Sequence, residues 1–202
     1  MIGLLIGANI GVLEAAELRA GIWSGGAAIG FLGSTPDGTA FATNLHADYF
    51  LNRQLSVGPL AQFAVTGDLF QFGLSGQVKY WLDLPGIDKR LKVNLQGGLG
   101  FLHADLHRSD TSFLIPIGAG LDFALNQQVS LTSTFLLNFT DVDTGRRTDA
   151  SVMPGLTFGI RFQQKGPEAR RAVLKLCSSL PHSSSLQRIP AKVREFCEAL
   201  PR

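Results

Sequence analysis

Residues 68–83 read DLFQFGLSGQVKYWLD, and their apolar and polar side chains alternate with a period of two. The bulky apolar members of one side are Phe70, Phe72, Leu74, Val78, Tyr80 and Leu82, and the opposite side carries Gln71, Ser75, Gln77, Lys79 and Asp83. Successive side chains of a β-strand point to opposite faces. The stretch therefore predicts a strand with one apolar and one hydrated side.

The same alternation recurs along the chain and predicts eight strands between Arg19 and Gln163, the first of them (Arg19 to Gly33) having the weakest pattern. The bulky apolar side is too large for the interior of an eight-stranded barrel, which admits only modest side chains. It fits better on the outside, against lipid. Strands of about ten residues with this dyad repeat, separated by turns, are typical of transmembrane β-barrels. A soluble barrel with the apolar face inside is the alternative.

Composition limits the classes of protein that need be considered. The 202 residues allow one domain, or one domain with a small appendage. Charged residues make up 17% of the chain, and the net charge of +2 is too even to indicate nucleic-acid binding. The sequence has no apolar run of the roughly 18 residues that a membrane-spanning helix needs. It also has no phosphate loop, zinc spacing or nucleotide fingerprint, so we expect no cofactor and no metal.

The connections between the strands fall into two alternating sets. One set is residues 52–54, 83–90 and 126–128, and the other is 33–38, 66–69, 104–112 and 141–150. The second set contains the two stretches that look longest and most polar, His103 to Ser112 and Asp141 to Asp149. In bacterial outer-membrane barrels the short turns face the periplasm and the longer loops face outside. Both chain ends are therefore expected in the periplasm.

Glycine-rich strand pairs give the chain a family resemblance over about residues 19–163. Gly97-Gly98-Leu99-Gly100-Phe101, residues 116–123 (PIGAGLDF) and Val129-Ser130-Leu131 resemble the strands of small eight-stranded outer-membrane barrels, the outer-membrane protein A-like and X-like group. The resemblance implies a monomer in outer-membrane lipid. A closing strand with Gly155, Phe158, Ile160 and Phe162 is similar to the signal that the barrel-assembly machinery recognises. Two features depart from the family: Met153 takes a polar slot, and the chain continues to Arg202.

Six ionisable residues fall on the predicted lumen side near the periplasmic ends of their strands: His46, Asp48, Lys79, Lys92, Asp122 and Arg161. A charge on the lipid face at mid-membrane costs about 2–4 kcal/mol, so these charges mark the lumen. We expect them to pair and close the periplasmic end, because isolated charges are costly in a narrow interior. Unconnected charges in periplasmic water are the alternative. The outer half, lined by Ala42, Ala64, Gly73, Gly98, Gly100, Gly118 and Gly155, is expected to hold a cavity open to the outside.

Two short motifs in the loops suggest chemistry only weakly. His107-Arg108-Ser109 resembles the His-x-Ser spacing of outer-membrane lipid A deacylases, in which a histidine activates a serine. The motif lies in a polar loop and lacks an identifiable acidic partner, so a chance match is the better interpretation. Asp141 and Asp143 form a carboxylate pair in the last loop, which is more typical of solvated side chains than of a cation site.

The two chain ends are expected to be separate elements. Residues 1–18 resemble a secretory signal, but no Lys or Arg precedes Glu14, so a truncated signal, an extra strand or an N-terminal arm all stay open. Residues 164–202 predict a helical hairpin with Cys177 and Cys197 on its apolar faces. A disulfide between them is expected in the periplasm, with unpaired thiols as the alternative. The tail is basic and suits peptidoglycan, anionic headgroups or a periplasmic protein.

These observations predict an eight-stranded antiparallel outer-membrane barrel with a short α-helical tail. Its predicted role is structural or in surface interaction, without enzymatic activity. A lipid A-modifying hydrolase and a narrow pore are the alternative functions, because eight-stranded barrels serve several purposes.

Overall fold

A computed structural model describes residues 18–164, apart from 84, 85, 87, 89 and 145–148. It contains eight strands: β1 (Trp23–Thr35), β2 (Gly38–Phe50), β3 (Leu55–Val65), β4 (Phe70–Leu82), β5 (Leu91–Asp105), β6 (Ser109–Ala124), β7 (Val129–Asp143) and β8 (Asp149–Gln163). The predicted helical tail, the Cys177–Cys197 disulfide and the features predicted for residues 1–17 lie outside the described residues. No helix in the described part of the chain is long and apolar enough to cross a membrane.

Each strand pairs antiparallel with the next, and β8 pairs with β1 to close the barrel. The prediction of eight antiparallel strands in a closed up-and-down barrel is confirmed. We name the end at which β1 begins and β8 ends the base, and the opposite end the top. Two register shifts lie near the top, between Leu32 and Thr35 in β1 and between Phe139 and Val142 in β7.

The outer surface of the barrel is apolar along the strands, and the interior is not. Leu99 and Phe31, both on this outer surface, are 71% and 63% exposed. Outward aromatic rings form a row toward each end: Trp23, Tyr49, Tyr80, Phe123 and Phe162 toward the base, and Phe31, Phe41, Phe70, Phe101, Phe113 and Phe139 toward the top. An outward apolar band between two aromatic girdles is the surface of a transmembrane barrel. The predicted placement of the bulky side chains on the outside is confirmed.

The lengths of the connections differ from the expected ones. The stretch expected as a long loop from His103 to Ser112 is mostly strand, because β5 runs to Asp105 and β6 begins at Ser109. Polar residues can extend a hairpin because its two strands satisfy each other's backbone groups beyond the apolar band. Among the connections, the longest is residues 83–90 at the base. Loop length therefore no longer indicates which end faces outside.

The base of the lumen is covered by the residues that precede β1. The strand begins at Trp23 and not at Arg19, because residues 18–22 turn across the barrel end. The Gly21 amide donates to the Phe50 carbonyl at 2.8 Å, and the Phe50 amide donates to the Ile22 carbonyl at 3.0 Å. Leu18 and Ile22 thereby pack with Phe50 and Trp81 in a buried apolar cluster, which we call the base cluster.

The top half of the lumen is filled by a second apolar cluster. Its members, which we call the top cluster, are Leu32, Ala40, Ala42, Ala64, Leu69, Leu102, Ala104, Leu114, Val142, Ala150 and Met153. The half that was expected to hold a cavity is largely packed, and a small cavity remains among these side chains. Two of the glycines predicted for this half make room for leucines: a Cβ atom on Gly73 would lie 2.9 Å from Leu114 Cδ2, and one on Gly155 would lie 3.2 Å from Leu32 Cδ1.

Candidate functional site

Two buried ion pairs lie in the lumen just above the base cluster. Lys79 Nζ on β4 donates to Asp48 Oδ2 on β2 at 3.0 Å. Arg161 Nε on β8 donates to Asp122 Oδ1 on β6 at 2.9 Å. All four side chains are nine-tenths or more buried. Each charge thus has an opposite charge at hydrogen-bond distance, as buried ions require.

Neutral groups complete this cluster of charges. Asn94 Nδ2 donates to Asp122 Oδ2 at 3.2 Å, so the carboxylate accepts from two side chains. The Arg161 guanidinium lies 4.7 Å from the centre of the Trp81 ring, within the range of a cation–π interaction. His46 Nε2 is 3.8 Å from Asp48 Oδ2. The structure therefore brings five of the six predicted residues, all except Lys92, into one layer, which we call the charge layer.

Lys92 lies apart from the charge layer. The register of β5 and β6 places it opposite Asp122, but its ammonium group contacts Asp83 near the base. The Asp83 side chain is 69% exposed. The sequence assigns Lys92 to the correct face of its strand, but a long flexible side chain near a strand end can reach a carboxylate outside the lumen.

Two aromatic members of the site were not anticipated. Trp81 is 2% exposed and donates from Nε1 to Ser56 Oγ at 2.9 Å, and its ring lies 5.6 Å from that of Phe50. The position of Trp81 could have been predicted from the sequence. Trp81 and Lys79 are two residues apart on β4, so their side chains point to the same face of the strand. Phe50 and Asp48 are likewise two residues apart on β2 and share a face. The alternation alone therefore places both rings in the lumen.

Inward glycines create the space that the charge layer occupies. A Cβ atom on Gly120 would lie 2.7 Å from Asn94 Nδ2, and one on Gly26 would lie 2.7 Å from His46 Cε1. In both places the glycine faces a polar side chain across one strand pair. Interiors are packed to high density, so an added methyl group must displace that neighbour.

Two small cavities lie above the base cluster, one around the charge layer and one in the top half. The lower cavity is lined by His46, Lys79, Trp81, Asn94, Asp122 and Arg161, among others, and the upper one by Gln62, Gln71, Leu102, Leu114, Asn138 and Met153, among others. In each cavity, the centre of a water molecule can occupy a volume of about 20 Å³ without touching protein atoms. That is room for one or two water molecules. Within the described residues the lumen therefore has space for internal water but no wide channel.

The candidate catalytic serine at the top does not pair with a histidine. Ser109 Oγ donates to Asp105 Oδ1 at 3.1 Å, across the hairpin of β5 and β6. His103, the other histidine nearby, has Nδ1 at 2.7 Å from Thr111 Oγ1. The structure thus offers no support for a serine activated by His107.

The remaining predicted residues lie at the top and on β8. The Asp143 amide donates to Asp110 Oδ2 at 2.9 Å, and Asp141 is exposed. Among the described residues, no group of three or more His, Cys, Asp or Glu side chains could hold a metal ion. On β8, Phe158, Ile160 and Phe162 are exposed on the outer surface, whereas Gly155 faces the lumen.

Comparison with solved structures places this geometry among membrane barrels. Neisserial surface protein A aligns with a TM-score of 0.54 and 18% identity, over 70% of this chain and 95% of its own. OprG of Pseudomonas aeruginosa aligns with a TM-score of 0.53 and 11% identity, over 76% and 100%. The N-terminal β-barrel domain of OprF from the same bacterium aligns with a TM-score of 0.52 and 11% identity, over 72% and 98%.

The comparisons of sequence found no relative. No protein-family model matches the chain, and no curated protein matches it at a significant level. At these identities the structural likeness identifies the fold alone. The chain has the fold of the small eight-stranded outer-membrane β-barrels.

Proposed function

We propose that this protein is a non-enzymatic outer-membrane barrel with a structural or surface-interaction role, whose lumen is closed to ions. One observation carries the proposal: two buried ion pairs in the charge layer lie directly above the apolar base cluster. Ions crossing the lumen would have to separate these pairs and pass the base cluster. Both steps are unfavourable in a narrow interior of low polarity.

An outer-membrane location is supported by the outer surface and by the fold. The apolar band is bordered by aromatic rings, and the exposed leucines and phenylalanines on it leave between 36% and 71% of their area uncovered. Monomeric soluble proteins rarely expose contiguous apolar surface on this scale. A heat-modifiable band in gel electrophoresis, with a strand-dominated circular dichroism spectrum in detergent, is the expected result. A protein that stays soluble without detergent would contradict this location.

Periplasmic chain ends are part of the proposal. Their support is the resemblance of β8, with Phe158, Ile160 and Phe162 on its outer surface, to an assembly signal. Single cysteines test the orientation in a Cys177→Ser/Cys197→Ser background: His107→Cys at the top and Gln127→Cys at the base. A membrane-impermeant maleimide applied to intact cells should label position 107 only. Labelling of position 127 alone would reverse the orientation.

The surface role rests on the top of the barrel. Exposed aspartates cluster there: Asp37, Asp68, Asp105, Asp141 and Asp143. Such a field favours encounter with a basic partner and repels acidic surfaces. The basic tail that follows β8 in the sequence is proposed to contact peptidoglycan, anionic headgroups or a periplasmic protein. Binding of the purified protein to peptidoglycan, compared with a variant ending at Gln164, tests the tail.

Conductance measurements test the closed lumen. In planar bilayers we expect no stable, large conductance from the wild-type protein, and such a conductance would contradict the proposal. The Asp48→Ala/Lys79→Ala variant removes one lumen pair without leaving a lone charge, and we expect it to show brief openings. The Asp83→Ala/Lys92→Ala variant is the matched control, because it removes an exposed pair of the same residue types. It should behave like the wild type.

A further inference from the structure

Three amide side chains in the upper cavity have a buried carbonyl oxygen without a partner among the described residues. They are Gln62 on β3, Gln71 on β4 and Asn138 on β7, and all three line the same cavity. A buried acceptor without a hydrogen bond loses its hydration with no compensation. Three such acceptors around one cavity indicate a ligand that donates hydrogen bonds.

Reversing the amide planes does not remove this requirement. Gln71 Nε2 has only the sulfur of Met153 as a partner, at 3.8 Å, and Asn138 Nδ2 donates to the Met153 carbonyl at 3.3 Å. Exchanging the oxygen and nitrogen of either amide changes which atom is unpaired and leaves one polar atom unsatisfied. The requirement for a polar ligand therefore follows from the positions of the side chains.

The lower cavity has unpaired groups of both kinds. Arg161 Nη1 is a buried donor without a partner in the described part of the chain, and Asn94 Oδ1 is a buried acceptor without one. Both residues line this cavity. The two cavities share Asn44, Thr134, Leu136 and Thr157 in their walls. Asn44 Nδ2 and Thr157 Oγ1 lie 3.4 Å apart at this junction.

We propose that the lumen holds a short file of internal water molecules, which fills both cavities. The Asn44–Thr157 contact lies between the molecules of the upper cavity and those of the lower one. Water donates to the amide oxygens in the upper cavity, and in the lower cavity it accepts from Arg161 and donates to Asn94. Each cavity has room for one or two molecules. Water can thus form hydrogen bonds with the unpaired donors and acceptors of both cavities without adding a charge.

Ions fit these cavities less well. Hard cations take about six or more oxygen ligands, whereas the upper cavity offers three unpaired amide oxygens among apolar walls. An anion in the lower cavity would face the Asp122 carboxylate and the Asn94 oxygen. Side chains of the top cluster line the upper cavity, and Trp81 of the base cluster lines the lower one. Water therefore fits both cavities better than an ion does.

A crystal structure of the detergent-folded full chain, at a resolution that shows ordered water, tests the inference. We expect density peaks about 2.7–3.2 Å from Gln71, Asn138 and Arg161. Bromide soaks separate water from an anion by anomalous scattering. Both cavities without density, or with an anomalous peak, would overturn the inference, as would a peak with the short contacts of a metal ion.

Variants tie the water to the amides. Gln71→Met/Asn138→Leu removes two acceptors, and we expect the upper peaks to be lost while those beside Arg161 persist. The matched control is Gln128→Met, in an exposed turn at the base, which should retain all peaks. Water–protein cross-relaxation in the wild-type protein gives a second readout that needs no variant. Cross-peaks from the Gln71 and Asn138 amides to water support the file, and their absence overturns it.

Discussion

The two halves of the lumen are equally buried but are filled with opposite chemistry. The base half holds charges, each within 3.0 Å of a partner, and the top half holds leucines, alanines and a methionine with a few amides between them. Both halves are surrounded by the same apolar outer band. The difference shows that a narrow barrel interior can be closed by neutralising charge or by excluding it. The two solutions should respond differently to substitution.

The largest expected effect comes from breaking one lumen ion pair. Asp122→Ala leaves Arg161 buried without its carboxylate, and we expect a loss of about 3–5 kcal/mol in the free energy of unfolding. Urea unfolding in lipid vesicles measures it. Asp122→Leu/Arg161→Met removes both charges and should recover most of the loss. Equal destabilisation by the single and double variants would contradict the charge-pairing account of the base half.

The next effect is a cavity in the top half. Leu114 is 1% exposed in the top cluster, and Leu114→Ala should cost about 2–5 kcal/mol, because the loss of buried area and a residual cavity add. The control is Leu99→Ala on the outer surface. Lipid fills the space there, so only the transfer term of roughly 1.5–2 kcal/mol is lost. A larger cost at Leu99 than at Leu114 would show that the top half is loosely packed.

A smaller effect is expected from filling the space beside the charge layer. Gly120→Ala places a methyl group against Asn94, whose amide is held by Asp122, and should cost about 1–3 kcal/mol. Gly76 is the matched position, because a Cβ atom added there would have no neighbour within 4 Å among the described residues. Gly76→Ala should change the free energy of unfolding by less than about 0.5 kcal/mol. Similar costs at both positions would contradict tight packing around Asn94.

The smallest effect separates the two Lys–Asp pairs by their exposure. A double-mutant cycle on Lys92 and Asp83 should give less than about 1 kcal/mol at low salt and almost nothing at about 1 M salt. The same cycle on Lys79 and Asp48 should change much less with salt, because both side chains are at least nine-tenths buried. Equal salt dependence of the two couplings would place the Lys79–Asp48 pair in contact with solvent.

Local alternation was sufficient to predict most of the fold. The period of two is a property of neighbouring residues, so it identified the eight strands and the outward side of Phe70, Leu74 and Val78 without knowledge of the barrel. The same alternation predicted that the side chains of five ionisable residues point into the lumen: His46, Asp48, Lys79, Asp122 and Arg161. Closure followed, because an even number of such strands can pair edge to edge.

Alternation could not predict how the lumen is filled or where the strands end. Leu102 and Leu114 have lumen parity, but their packing with Met153 depends on the stagger of distant strands. The partner of Lys92 depends on the reach of a flexible side chain. Asp105 and Ser109 are polar and still extend their strands, because backbone pairing across the hairpin does not need apolar side chains.

Fluorescence of the two tryptophans tests the inside-out arrangement most directly. Trp23 is 48% exposed on the outer surface and Trp81 is 2% exposed in the lumen, and the chain has no other tryptophan. In vesicles with brominated lipids, a Trp81→Phe variant, which retains Trp23, should be strongly quenched. A Trp23→Phe variant, which retains Trp81, should resist quenching by both the lipids and aqueous acrylamide. Strong lipid quenching of Trp81 with a protected Trp23 would show that the faces are assigned the wrong way round.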